Sequence, residues 1–138
     1  MSAGLRVFPV RYGTKRPLVS EWQNRASSDP AQIKAWRAEF PGCNWGIRTG
    51  EGVGVIDLDT KKAPEWSSGG YGSLIDLAET GIDLFRYPLV RTPLGHHLYF
   101  RYEGHLTSLV PWLDLVDLLA DGGRYVVAPG SIGICQGG

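Results

Sequence analysis

The run Gly52-Val53-Gly54-Val55-Ile56-Asp57-Leu58-Asp59 ends an apolar, β-branched stretch on two carboxylates, and no other segment restricts the fold and chemistry of this chain as tightly. Its composition predicts a β-strand. Side chains alternate faces along a strand, so Val53, Val55, Asp57 and Asp59 share one face while Ile56 and Leu58 take the other. Residues two apart lie roughly 6.5 to 7 Å apart at Cα, near enough for both carboxylates to reach one hard divalent cation or a pair of them. Left alone, such neighbours repel and one tends to keep its proton. Mg²⁺ or Mn²⁺, which suit oxygen ligands, removes that conflict. A strand running out into a solvated polar loop accounts for Asp-x-Asp equally well, so the pair by itself leaves both readings open.

The chain of 138 residues has room for one domain with a real core and not for two large ones. Its 14 basic residues cancel its 14 acidic ones, which excludes a protein that coats duplex DNA through a general basic excess; any nucleic-acid contact must rest on a local patch. Cys43 and Cys135 are too few for a disulfide framework or a zinc site and read as free thiols in a reducing compartment. The N-terminus lacks a signal-peptide pattern, and no run of about 18 apolar residues occurs. We therefore expect a cytoplasmic protein with no membrane partner.

Arg6-Val7-Phe8-Pro9-Val10-Arg11-Tyr12 alternates as a strand, with Pro9 favouring an edge. Asp29-Pro30-Ala31-Gln32 has the grammar of a helix start, with Asp as N-cap, Pro at the first position and Gln placed as in a capping box. Ile33, Trp36 and Phe40 then fall on one helical face, and Pro41-Gly42 ends the helix. Asn44 to Gly50 is a short strand expected to form a hairpin with the Asp57 strand through Gly50-Glu51-Gly52. A short helix is expected from Ser73 to Gly81, carrying Leu74, Leu77 and Ala78. Strands follow at Leu89–Thr92 and His97–Tyr102, and a second hairpin is expected between Leu115–Leu119 and Arg124–Ala128 across Asp121-Gly122. About seven strands and two helices without steady alternation point to an α+β fold.

Two further positions join the Asp57 and Asp59 pair. Asp117 sits between Val116 and Leu118 in an apolar strand, where a carboxylate is costly to bury unless it is paired or metal-bound; an exposed edge is the alternative. His97 shares a strand face with Tyr99 and Arg101, a polar stripe of three groups that seldom all point into a core, which weakens the reading of a satisfied core histidine. The adjacent His96 faces the other way, so the two cannot form a His-x-His metal pair.

The order of these pieces resembles the bifunctional DNA primase/polymerase N-terminal domain of phages, plasmids and mobile elements, part of the archaeo-eukaryotic primase superfamily. Phe8-Pro9-Val10 with Lys15-Arg16-Pro17 and Trp22-Gln23 looks like the family's opening, and Asn44-Trp45-Gly46-Ile47-Arg48-Thr49-Gly50 like its Asn-x-Gly segment. Val55 to Asp59 is similar to the first motif, Thr92-Pro93-Leu94-Gly95-His96-His97-Leu98-Tyr99-Phe100 to the histidine-bearing second, and Val116-Asp117 to the third. Gly122 to Ser131 resembles the closing segment. The chain departs from the pattern at Leu94, where the family usually has Ser, at Leu119, often Arg, and at Gly130, usually Pro.

The resemblance implies a primase/polymerase-like fold in which an RRM-like catalytic sheet packs with an N-terminal αβ module. We expect one domain over residues 1–138, divided near residue 50, with the catalytic sheet over about 51–131 and a tail at 132–138, and a family domain truncated at its C-terminus. It also implies template-dependent nucleotidyl transfer through two Mg²⁺ or Mn²⁺ ions held about 3.5 to 4 Å apart by carboxylates. Asp57, Asp59 and Asp117 would be the ligands, and His97 would contact the phosphates of the incoming nucleotide. Arg48, Lys61 and Lys15 are candidate triphosphate partners, and Trp45, Trp66 and Tyr71 could stack template bases. The expected partners are single-stranded DNA, nucleoside triphosphates and a helicase domain or protein. Two other readings stay open: a Mn²⁺-dependent glycosyltransferase, which explains the Asp pair but neither Asp117 nor His97, and an inactive replication-associated module that docks DNA or a helicase.

Overall fold

The structure is a computed structural model and describes residues 5–59, 79, 89–92, 95–113 and 116–129. Ten elements occur among them, in the order β1 (Val7–Val10), α1 (Trp22–Arg25), α2 (Pro30–Glu39), β2 (Asn44–Arg48), β3 (Val53–Asp59), β4 (Leu89–Arg91), β5 (Gly95–Arg101), β6 (Leu109–Leu113), β7 (Val116–Leu119) and β8 (Tyr125–Val127). They form two antiparallel sheets, one of three strands in the order β1-β2-β8 and one of five in the order β4-β5-β3-β7-β6. The expected mixed α+β class is what the chain adopts. The expected helix over Ser73 to Gly81 falls outside the described residues.

All seven expected strands are present, and Pro9 lies in an edge strand as its missing N–H requires. β6 is an eighth that the sequence did not announce, because Pro111 interrupts Leu109-Val110-Pro111-Trp112-Leu113; it too is an edge strand, where Pro is tolerated. Helix α2 starts as its sequence predicts, with the Asp29 carboxylate accepting from the Ala31 N–H at 3.0 Å and Pro30 at the first position. The capping box is modified, since the Asp29 N–H donates to Ser27 Oγ at 3.0 Å rather than to Gln32. Trp36 is buried on the three-stranded sheet against Phe8 and Val10, while Ile33 packs at the other cluster and Phe40 at the helix end.

Both expected hairpins are absent, for one shared reason. Gly50, Glu51 and Gly52 all have positive φ (98°, 50° and 94°), and Gly50 and Val53 exchange backbone hydrogen bonds of 2.7 and 3.2 Å, which is a two-residue primed turn. The turn closes, but after the Gly50–Val53 bridge the strands part: β2 joins β1 and β8, and β3 joins β5 and β7. Asp121-Gly122 likewise turns, with Arg124 N–H donating to Asp121 O at 3.2 Å, yet β7 and β8 belong to different sheets. Each turn carries the chain from one sheet to the other. The two crossings meet, and Thr49, fully buried, locks them: its N–H donates to Arg124 O at 3.0 Å and its hydroxyl lies 2.8 Å from Asp121 O and 3.1 Å from Arg124 O. A Cβ at Gly50 would stand 2.8 Å from the Gly122 backbone nitrogen, so contact this close requires glycine.

A second clasp holds the far side. Asp121 accepts from the Ser108 N–H at 3.1 Å and the Gly123 N–H at 2.9 Å, while Ser108 Oγ accepts from Ala120 and Asp121 N–H groups at 2.9 and 3.2 Å. Partial burial pushes the Asp121 carboxyl up, but the hydrogen bonds from Ser108 and Gly123 outweigh it and hold the group below its ordinary value. The core follows from this arrangement. Val7, Ile47 and Val126 of the smaller sheet meet Val55 and Leu119 of the larger one, and Ile56, Leu58, Leu98 and Val116 bury the larger sheet's opposite face.

Thr49→Val keeps the volume and the N–H bond to Arg124 O but removes the hydroxyl donor from the Asp121 carbonyl, and should lower unfolding free energy by about 0.5 to 1.5 kcal/mol. Gly50→Ala should cost at least about 1 kcal/mol through its positive φ and the Gly122 contact. Urea denaturation of both variants measures this, and unchanged midpoints would rule out the crossing as a stabilising lock.

Candidate active site

β3 is the central strand of the five-stranded sheet, and its register carries the site. Asp57 pairs with His97 of β5 on one side and with Asp117 of β7 on the other, so the three residues form one row across three strands. Directly opposed residues in antiparallel strands have Cβ atoms about 4.5 to 5.5 Å apart on the same face. Asp59, two residues on, shares that face and pairs with Gly95 at the sheet's end. His96 pairs with Leu58 and therefore faces the other side, as expected from its adjacency to His97.

The face bearing this row is not uniformly polar. Its other half, formed by Val53, Val55, Tyr99 and Leu119, lies toward the three-stranded sheet, where Val55 and Leu119 are buried and Tyr99 packs against them. The expectation that His97, Tyr99 and Arg101 form a polar stripe is thus corrected: only the His97 end and the exposed Arg101 are polar surroundings, and Tyr99 between them is an inter-sheet residue. Burial pushes the Tyr99 phenol up to about 12. Its hydroxyl is buried with no hydrogen-bond partner among the described residues, beside a cavity of about 1270 Å³ lined also by Ile33, Trp45, Ile47 and Arg101. Leu119 packs against Val55, Ile47 and Val126, which accounts for an apolar residue where the family often has Arg.

His97 Nε2 lies 3.6 Å from Asp57 Oδ1, beyond hydrogen-bonding distance, and its Nδ1 is buried without a partner among the described residues. Burial pushes the imidazole down from 6.5 to about 4, with Lys15 and His96 adding to the shift. The ring is therefore neutral at pH 7. Asp57 is half-exposed, its side chain 39% accessible against 13% for His97.

The basic candidates separate. Lys15 sits in an exposed turn whose backbone carbonyl accepts a hydrogen bond from the Tyr125 hydroxyl, and it is near enough to His97 to act on its charge. Arg48 is used at the crossing: its guanidinium lies over Gly122 and within 3.6 Å of Glu51, which also pairs with Arg6 at 2.8 Å. Lys61, Trp66 and Tyr71 fall outside the described residues, and Trp45 packs between the core clusters rather than presenting an open stacking face. Tyr125 was not foreseen as an anchor for Lys15; the two are 110 residues apart and no local signal joins them.

Among the described residues, no three His, Cys, Asp or Glu side chains are gathered closely enough as they stand to hold a metal ion. The donor chemistry nevertheless fits a hard divalent cation, since the Asp57 and Asp117 carboxylates project from opposed positions and Asp59 follows on the same face. Among the same residues no helix is long and apolar enough to cross a membrane.

Two antiparallel sheets with few helices, with Asp57 and Asp59 on the central strand and Asp117 opposite Asp57 on its neighbour, are compatible with a primase/polymerase-like protein. The chain belongs to the family of bifunctional DNA primase/polymerase N-terminal domains, which it matches over residues 1–138. Membership implies a nucleotidyltransferase class that binds DNA and nucleotides and generally depends on divalent metal. No curated protein matches the chain.

Because the folded-state pKa of His97 is depressed, its neutral form favours folding above about pH 6.5, and that contribution is lost as pH falls toward about 4. An NMR titration of the imidazole should give a midpoint near 4, and His97→Gln should flatten the stability profile across this window. A midpoint at 6.5 or above would contradict the burial.

Proposed function

We propose that the protein is a template-dependent DNA primase/polymerase of phage or plasmid replication, in which Asp57, Asp59 and Asp117 hold Mg²⁺ or Mn²⁺ and His97 binds the phosphates of the incoming nucleotide. The observation that carries this reading is the row His97, Asp57 and Asp117 in register across β5, β3 and β7. Two opposed carboxylates repel one another, and a cation offsets that cost. When bound, the metal pair lowers the pKa of a 3′-hydroxyl and neutralises charge on the leaving pyrophosphate.

The remaining work falls to the chain's own groups. Asp57 and Asp117, on strands hydrogen-bonded to one another, are held at fixed spacing by the sheet rather than by loops. The neutral His97 ring has an N–H to donate to a phosphate oxygen without adding charge, and its Nδ1, without a partner among the described residues, is consistent with a ligand contact. Lys15 supplies the nearby positive charge that a triphosphate needs. Lys61 and Arg48 are further triphosphate partners in this proposal. A helicase domain or protein would supply unwound template.

Incubation with single-stranded DNA, labelled nucleotides and Mn²⁺ or Mg²⁺ should yield primers or extended strands. Asp57→Ala, Asp59→Ala and Asp117→Ala should each reduce incorporation at least about a hundredfold without unfolding the protein. His97→Ala should raise the nucleotide KM more than it alters metal dependence. Normal incorporation by a folded Asp117→Ala variant would overturn the three-acid site.

A further inference from the structure

The overall charge balance conceals a separation along the chain. Residues 1–50 carry eight basic residues against three acidic ones, so the acidic excess lies entirely in the remainder. Between residues 5 and 20 there are four cations, Arg6, Arg11, Lys15 and Arg16, and no acid. Arg6 is taken up by Glu51 at 2.8 Å. The other three lie in the turn that follows β1, together with Tyr12, the most exposed of the large apolar side chains among the described residues at 59%.

That turn is built rather than loose. Arg11 N–H donates to Arg16 O at 2.9 Å, Thr14 N–H to Arg11 O at 3.0 Å, and Leu18 N–H to Pro9 O at 2.9 Å, continuing β1 as a short ladder. Thr14 Oγ1 bonds to Arg11 O at 2.9 Å and accepts from the Arg16 N–H at 3.1 Å. The Tyr125 hydroxyl, donating to Lys15 O, ties the turn to β8. An exposed ring among cations on a rigid element, with no acid near it in sequence, is the combination that binds single-stranded nucleic acid: the ring stacks on a base and the cations meet successive phosphates.

We propose that the Arg11–Arg16 turn is a docking element for single-stranded nucleic acid, in which Tyr12 stacks on a base while Arg11 and Arg16 engage the backbone and Lys15 lies toward the acid row. This rests on the polymerase reading for its biological sense, but not for its test. Tyr12 and the two arginines touch strand, not reacting atoms, so they are positioning residues.

The test is fluorescence anisotropy with a labelled oligodeoxythymidine, without nucleotide or divalent cation, across a salt series. Tyr12→Ala should weaken binding about tenfold with an unchanged salt slope, and Tyr12→Phe should restore it. Arg11→Ala combined with Arg16→Ala should lower the slope of log K against log salt by about 1.4, the value for two phosphate contacts on a single strand. Unchanged affinity in Tyr12→Ala, an unchanged slope in the double variant, or no strand binding by the parent protein would each overturn the proposal. Failure of synthesis with these binding effects intact would count against the polymerase reading alone, whereas synthesis by a Tyr12→Ala variant that binds normally would count against the turn alone.

Discussion

The meeting of the two inter-sheet crossings at Thr49 is the constraint on which the rest of the molecule depends. Strands β2 and β3 are joined by a turn of the kind that ordinarily makes a hairpin, as are β7 and β8, yet in both cases the partners diverge into separate sheets. A divergence of this kind leaves backbone groups near the turn without ladder partners, and buried groups of that sort are costly. Thr49 meets part of that cost, giving its N–H and hydroxyl to carbonyls of the opposite crossing. Because β3 and β7 both leave from this point, closing it sets where each enters the larger sheet.

The site inherits its geometry from that entry. With β3 central and β7 beside it, a single register puts Asp57 opposite Asp117 and, on the other edge, opposite His97. A slip of one residue would send all three to the opposite face. Such a slip is opposed by the apolar residues on both faces, since Val55 and Leu119 belong between the sheets and Ile56, Leu58, Leu98 and Val116 belong on the far side. Apolar packing thus holds the carboxylates together against their own repulsion, and the same packing desolvates His97 enough to keep it neutral.

Much of this was readable in the chain. The alternation in Val53 to Asp59 assigned every side chain of β3 to its correct face, the Asp29-Pro30 start of α2 was visible, and the primed turn at Gly50 to Gly52 forms as its glycines suggest. Pairing was not readable, because turn chemistry is local while the choice of partner strand is made by apolar surfaces far apart in sequence. For the same reason Tyr99 passed for part of a polar stripe: its neighbours in sequence are polar, but its neighbours in space are Val55 and Leu119. The shared use of Arg48 at the crossing, and of Tyr125 as anchor for Lys15, had no local signature at all.

What the sequence determined by itself is the set of chemical groups and their order: three carboxylates and a histidine on strands, each with a face prescribed by period-two alternation, in the sequence of motifs that places the chain in its family. What only the tertiary structure decided is which strands lie side by side, and therefore that Asp57, Asp117 and His97 share one row. Periodicity specifies a direction for each side chain along its own strand. Adjacency between strands arises only when the two sheets bury their facing surfaces, because that burial selects one pairing among many that the turns alone would permit.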